Sequence, residues 1–239
     1  MVTRPLLKVL TRYGIGSRRR MTDAIKQGKV TVNGEVIENF NHIINPATDN
    51  IIVDGKAVDL NPKETVYLVL NKPKGVISTT SDEKGRRTVI DLLPEKYHHL
   101  RLYPVGRLDE DSTGLVLLTN DGDLTYRLTH PRFEHEKEYL VEIKGVLAAD
   151  EIHKLKNGIR LEDGMTHPAK VKPVNSPPYN YSITIHEGRK RQIRRMFEHI
   201  KKPVLSLKRI RIGNLYIGEL KEGAVKILRK SQVNSLLDS

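Results

Sequence analysis

The chain has 239 residues, of which 38% are hydrophobic and 29% are charged, as in an ordinary soluble globular protein. It has no cysteine, which excludes disulfides, thiolate metal sites and thiol nucleophiles. Because no apolar run reaches the roughly 18 residues of a membrane span, and the N-terminus is too basic for a secretory signal, we expect a cytoplasmic protein with no membrane partner. The 41 lysines and arginines exceed the 29 acids, and the net charge of +12 favours a polyanionic partner if it is clustered.

The positive charge is clustered at the start of the chain, where Asp23 is the only acid among the first thirty residues. The spacing of leucines and Val9 predicts a first helix before a Gly14-Ile15-Gly16 break. Ser17 is a typical N-cap for a second helix that runs from Arg18 to about Gln27. Its basic residues form either a solvated face or a phosphate-binding surface, and the near absence of acids favours phosphate. They are Arg18, Arg19, Arg20 and Lys26.

Two hairpin signals follow the predicted helices. Asn33-Gly34 lies within "KVTVNGEVI", and Asp54-Gly55 lies within "NIIVDGKAV". Residues 1–60 therefore form a small helix-helix-strand module. The polar, proline-containing segment from Leu60 to Glu64 is typical of a linker, so we expect a second domain over residues 61–239.

The second domain contains more predicted strands than helices. Several strands alternate apolar and polar residues, which favours a mixed α+β domain with a largely antiparallel sheet. Helical spacing of apolar residues predicts helices near 149–156 and 191–200. Strands are predicted over Val66 to Leu70, Leu115 to Thr119, Tyr139 to Ile143, Tyr181 to His186 and Val204 to Ile212.

The most informative stretch is "GRLDEDSTGLVLLTN", residues 106–120, which places three consecutive acids in a basic chain. A calcium loop is one interpretation, but the twelfth position is Asn120, where a bidentate glutamate is required, and the aliphatic run before it is β-like. We therefore expect no metal. A solvated turn accounts for Glu110 and Asp111. Asp109 continues an extended segment in which Arg107 lies on the same face, and a neighbouring cation keeps a carboxylate ionised and able to react.

The same stretch resembles, without a gap, the signature of the pseudouridine synthases of the RsuA/RluB type. The segments "LNKPKGV", "KEYLVEIKG" and "HEGRKRQIRRM" resemble the remaining motifs of that family in the same order. The segment "SRRRMTDAIKQGKVTVNGEVI" resembles the RNA-binding domain named after ribosomal protein S-four. The resemblance covers nearly the whole chain. It implies an enzyme that isomerises a uridine of 23S or 16S ribosomal RNA, as a monomer and without a cofactor.

The resemblance also implies roles for individual residues. Asp109 would be the essential carboxylate, and Tyr139 would pack on or near the target base and serve as a base. Arg189 would pair with Asp109 and keep it ionised. Arg107 would lie beside the site and occupy the gap left by a flipped nucleotide. Arg191 and Arg194 would extend the RNA-binding surface.

Two other functions compete with this interpretation. One is a non-catalytic ribosomal RNA binder, acting in ribosome assembly or quality control through the same basic module. The other is a carboxylate glycosidase, which needs a second acid roughly 5 to 10 Å from the first. The sequence indicates no such partner for Asp109, whereas the set of Asp109, Tyr139 and Arg189 favours the synthase over the binder.

Overall fold

The computed structural model describes residues 3–61 and 64–236. The chain divides into two compact units. The first unit spans the chain up to Thr65 together with Asn120–Gly122, and the second contains Val66–Thr119 and the chain from Asp123 onward. Both units combine helices with antiparallel strands, so the predicted α+β fold class is confirmed.

The first unit is a pair of helices packed on short strands. Ser17 caps the second helix by accepting a hydrogen bond from the backbone N–H of Arg20 at 3.1 Å, as its sequence predicts. Both predicted hairpins are present, and each turn has two residues with positive φ at Asn33-Gly34 and Asp54-Gly55. The elements are β1 (Arg4–Pro5), α1 (Leu6–Arg12), α2 (Arg18–Lys26), β2 (Val30–Val32), β3 (Glu35–Val36), β4 (Ile43–Ile44), β5 (Ile51–Val53) and β6 (Lys56–Ala57).

The rest of the chain contributes eleven further strands and four further α-helices within the described residues. Short 3₁₀ turns also occur at Glu95–Tyr97 and Pro131–Phe133. The elements are β7 (Tyr67–Lys72), β8 (Tyr103–Val105), β9 (Thr113–Thr119), α3 (Gly122–Thr129), β10 (Lys137–Ile143), α4 (Ala149–Asn157), β11 (Arg160–Leu161), β12 (Gly164–Met165), β13 (Lys170–Ser176), β14 (Tyr179–Ile185), α5 (Gln192–His199), β15 (Val204–Ile212), β16 (Leu215–Tyr216), β17 (Val225–Ile227) and α6 (Lys230–Ser235).

Nine of these strands form one sheet, whose main path is β13-β14-β10-β15-β9-β7-β17. Every pairing in it is antiparallel except that of β9 with β15, which is parallel at Thr113–Lys208 and Gly114–Arg209. The central strands are buried on both faces, as apolar runs such as Leu115–Leu118 predict. The apolar side of α5, including Met196 and Phe197, packs into the larger core. Over residues 3–61 and 64–236, no helix combines the length and the apolar character needed to span a membrane.

Candidate active site

A cleft of about 1000 Å³ lies in the second unit. Its walls include the chain between β8 and β9, the start of β10, the loop before α5, and β15, together with residues from 77–86 and 128–135. The residues singled out from the sequence that line it are Arg107, Asp109, Tyr139, Arg189, Arg191 and Arg194. The fold therefore brings together the predicted catalytic residues and three of the predicted RNA-binding arginines.

Asp109 is partly exposed in the cleft, and its two chain neighbours are fixed through their backbones. On one side, the Ser78 hydroxyl donates to the Leu108 carbonyl at 3.0 Å and accepts from the Leu108 N–H at 3.1 Å. On the other side, the Glu110 carbonyl accepts from the Gly75 N–H at 2.9 Å and from Lys72 Nζ at 3.4 Å. Since both neighbours are held, the Asp109 side chain is presented from a fixed turn, as a preorganised reacting group requires.

Gly114 allows the turn to join the sheet. Its φ is +105°, and a Cβ built there would lie 2.2 Å from the Arg209 carbonyl oxygen and 2.7 Å from the Arg209 nitrogen. Only glycine permits this close approach of two backbones. The approach places β9 beside β15 and brings Arg209 against the turn that carries Asp109.

Two cationic side chains beside this turn pair with Asp111. Arg191 Nη2 and Arg194 Nη2 each lie 3.2 Å from an Asp111 carboxylate oxygen. Burial raises the pKa of Asp111, but the hydrogen bond from Arg191 and the charges of Arg194 and Arg191 outweigh it, so the pKa lies below its usual value. Glu110 pairs at 3.4 Å with Arg86. Asp111 is thus more than the solvated turn residue that the sequence indicated.

Asp109 itself makes no ion pair with any residue of 3–61 or 64–236, so the predicted pair with Arg189 is wrong in this structure. Arg189 Nε instead donates to Glu187 at 2.9 Å, and its two terminal nitrogens bond the backbone carbonyls of Asp163, Gly164 and Met165 in the β11–β12 hairpin. The Glu187 carboxylate and the hairpin carbonyls together engage all three nitrogens of the planar Arg189 guanidinium.

Arg194 is a partly buried cation that bonds the Asp109 turn. Its guanidinium donates to the Asp111 carbonyl at 3.1 Å and to the Val204 carbonyl at 3.1 Å. Burial lowers the pKa of Arg194, while the charges of Asp111 and Asp109 oppose that effect. Arg194 therefore supplies positive charge at the position where Arg189 was expected. Arg107 lies exposed on the rim of the cleft.

Tyr139 is buried in β10, with Ile183 opposite it on β14 and Arg209 opposite it on β15. Lys137, two residues earlier and therefore on the same face, also lines the cleft. Its ammonium donates to the His135 carbonyl at 3.0 Å and the His186 carbonyl at 3.2 Å. Burial lowers the pKa of Lys137 to about 8, and the charge of Arg209 adds to the effect.

The sequence analysis did not predict that three cations would be withdrawn from solvent: Lys72 and Arg209 are buried, and Lys137 is partly buried. Lys72 is fully buried and donates to the carbonyls of Pro73 at 2.9 Å and Val76 at 2.7 Å, besides that of Glu110. Arg209 is 2% exposed and donates to the carbonyls of Leu115 at 2.8 Å and Arg107 at 3.4 Å. The sequence signal was a lysine or arginine in a predominantly apolar strand. Such a cation needs carbonyl acceptors from distant parts of the chain, because a buried charge without hydrogen bonds is costly.

Comparison with known proteins decides the family. A family model described as RNA pseudouridylate synthase matches residues 66–199. The chain belongs to the RNA pseudouridylate synthase family. A second model, the S4 domain, matches residues 4–49.

Individual relatives agree with the family models. The chain is 42% identical to "Ribosomal large subunit pseudouridine synthase B" of Bacillus subtilis over 97% of this chain and 94% of the relative. It is 39% identical to the protein of the same name from Vibrio cholerae, over 97% and 73% of the two chains. A crystal structure of a pseudouridylate synthase superposes with a TM-score of 0.71 and 33% identity, over 98% of this chain and 99% of the other. The family predicted from the motifs is therefore confirmed.

In this synthase, the S4 match includes α2 and its basic residues. Arg18, Arg19, Arg20 and Lys26 are all exposed. Arg20 lies 3.4 Å from Asp54, whereas the other three make no ion pair with the described part of the chain, residues 3–61 and 64–236. Their charges are available to a polyanion.

Lys72 gives the synthase a specific pH dependence. Burial lowers the pKa of Lys72 to about 8 from 10.5, although Asp111, Glu110 and Asp109 oppose the shift. Between these pH values the unfolded chain binds more protons than the folded chain, so this residue's contribution to stability rises with pH. The free energy of unfolding of the wild type, relative to Lys72→Met, is expected to rise by roughly 3 kcal/mol from pH 7 to 11.

The measurement is urea unfolding of both proteins at matched pH values. Methionine does not titrate, so subtracting the two stabilities removes the contributions of all other lysines. A difference that stays constant over this pH range would show that the pKa of Lys72 is not lowered in the folded protein.

Proposed function

We propose that this protein isomerises a uridine of large-subunit (23S) ribosomal RNA to pseudouridine, with Asp109 as the reacting carboxylate. The RNA target is inferred from the names of the relatives from Bacillus subtilis and Vibrio cholerae. The observation that carries the role of Asp109 is its fixed turn: both neighbours are anchored through their backbones while its own carboxylate faces the cleft.

The isomerisation requires little beyond such a carboxylate. The bond between the ribose and N1 of uracil breaks, the detached base turns, a new bond forms to C5, the C5 proton leaves, and N1 takes up a proton in its place. The product has the same atoms as the substrate, so the balance includes no oxidant, reductant or group donor. Asp109 either attacks the sugar or abstracts a proton from it, and both routes need an ionised carboxylate.

The other cleft residues have supporting roles in this proposal. Tyr139 packs on the target base and is the candidate base for the C5 proton. Arg194 and Arg191 hold Asp111 and place positive charge beside the turn. Arg189 organises the cleft wall against the β11–β12 hairpin. A uridine in structured RNA must first be unstacked, at a cost of a few kcal/mol, and Arg107 on the rim is placed to occupy the vacated gap.

The basic module of residues 1–60 offsets part of that cost. Its exposed α2 cations contact phosphates, which position the RNA without reading its sequence, and residues 61–239 carry out the reaction. We place the enzyme in the cytoplasm, where its substrate is found, and expect it to act as a monomer.

The test is pseudouridine mapping on RNA transcribed in vitro, which contains no modified bases. Transcripts of 23S and 16S ribosomal RNA are incubated with the wild-type protein, labelled with a carbodiimide and read by primer extension. A single new stop in 23S RNA supports the proposal and names the uridine. A stop only in 16S RNA would overturn the choice of subunit.

The alternative is a non-catalytic ribosomal RNA binder for assembly or quality control. The exposed cations of the S4 domain would serve that function equally well, so RNA binding alone does not separate the two proposals. Tight binding to 23S RNA, without a new stop on free RNA or on ribosomal subunits, would favour the binder.

A further inference from the structure

A cluster of aromatic and cationic side chains lies on α3 and the 3₁₀ turn that follows it. The ring centroid of Tyr126 is 4.9 Å from that of His130 and 5.9 Å from that of Phe133. The guanidinium carbon of Arg132 is 4.5 Å from the Phe133 centroid and 5.1 Å from the Tyr126 centroid. We call Tyr126, His130, Arg132 and Phe133 the aromatic cluster.

Three side chains of the aromatic cluster are exposed, and Phe133 is partly exposed. Tyr126 is 45% exposed, and His130 and Arg132 are also exposed. Within residues 3–61 and 64–236, the Arg132 guanidinium has no carboxylate partner, so its charge remains available to a ligand. The exposed tyrosine ring and the arginine above it therefore present an aromatic and cationic surface to solvent.

The aromatic cluster adjoins the cleft that holds Asp109. His130 and Pro131 line the cleft, as do Leu128 and Thr129 from the end of α3. A polynucleotide with its target base in the cleft would pass over this rim with the adjacent nucleotides. These nucleotides lose their stacking neighbour when the target base flips out.

We infer that the aromatic cluster is a stacking platform for an unpaired nucleotide next to the target uridine. The inference rests on the proposed function, because it assigns the substrate-binding surface of the same site. Unpaired bases stack on tyrosine, phenylalanine and histidine rings and on arginine planes. Arg132 adds charge complementarity to the flanking phosphate, which favours a nucleotide over an apolar protein segment.

The experiment compares Tyr126→Leu with the wild type on an unmodified 23S transcript, with the single-turnover rate measured over a range of protein concentrations. Leucine keeps an apolar side chain but removes the aromatic face. We expect the protein concentration at half-maximal rate to rise about 10-fold, with the maximal rate within about twofold of wild type. Tyr126→Phe keeps the ring and is expected to match the wild type.

Tyr216→Leu is the matched control. Tyr216 is 64% exposed and lies 5.8 Å from the guanidinium carbon of Arg211, but it does not line the cleft. It is expected to leave both kinetic constants unchanged. Equal effects of the two leucine variants, or no effect of Tyr126→Leu on half-saturation, would overturn the stacking platform while leaving the synthase function intact.

Two further outcomes separate stacking from other causes. The slope of log affinity against log salt is expected to be the same for Tyr126→Leu and the wild type, because no phosphate contact is lost; a shallower slope would overturn stacking as the cause. A wild-type protein that modifies neither 23S nor 16S RNA would overturn the proposed function itself, and with it the platform that depends on it.

Discussion

Asp109→Asn is expected to lower the single-turnover rate of pseudouridine formation by at least about 10⁴-fold, with RNA affinity within about twofold of wild type. Asparagine has nearly the same shape as aspartate but has no negative charge, and it is neither a nucleophile nor a base. The fold is expected to be unchanged, because the turn is held through the backbones of Leu108 and Glu110 and not through the Asp109 side chain. The rate is measured by release of tritium from RNA labelled at C5 of uracil.

The two neighbouring acids provide matched controls for this substitution. Glu110→Gln loses only an exposed ion pair with Arg86, so its rate is expected within a few-fold of wild type. Asp111→Asn weakens the pairs with Arg191 and Arg194 and is expected to have an intermediate rate. If Asp111→Asn abolished the reaction while Asp109→Asn retained it, the reacting carboxylate would be Asp111.

Gly114→Ala is expected to destabilise the second unit by more than about 3 kcal/mol or to prevent its folding. A methyl group there would lie 2.2 Å from the Arg209 carbonyl oxygen, and φ at this position is +105°. Neither backbone can move aside without breaking the parallel pairing of β9 with β15. The measurement is the urea-unfolding midpoint, followed by far-UV circular dichroism.

Gly223→Ala is the control for backbone strain alone. Gly223 has φ +79°, and no heavy atom lies within 4 Å of a Cβ built there. Its cost is expected to be about 1–2 kcal/mol. If both glycine variants lost the same stability, the close contact between Gly114 and Arg209 would have no energetic importance.

The sequence predicted the parts of the fold that depend on local patterns. The apolar spacing around Met196 predicted α5, and the alternation after Lys137 predicted β10. α3 was missed because Asn120-Asp121 precede it and Gly122 begins it, a run typical of a turn, and the helix has only eight residues. β13 was missed because Pro173 lies inside it, and proline argues against a central strand. This strand is at the edge of the sheet.

The candidate site was predictable where a single motif places a residue, and not where distant segments meet. The motif places Asp109 in a segment that lines the cleft. The partner of Arg189 was mistaken because Arg191 has a φ of +50°, which turns the chain at the start of α5. That turn directs Arg191 and Arg194 to Asp111 and leaves Arg189 at the hairpin. The spacing of residues along the sequence does not show that one residue adopts a left-handed backbone conformation.

The anchors of the Asp109 turn are separate from the side chains that would touch RNA. Ser78, Lys72 and the Gly75 N–H act on backbone atoms, whereas Arg107 and Tyr126 project from the rim and from α3. Under the proposed function, substitutions on the rim are expected to change the RNA target without displacing the Asp109 carboxylate. The proposed reaction centre and the proposed RNA-contacting surface are thus held by different groups of residues, which makes the scaffold a suitable starting point for engineering new uridine specificity.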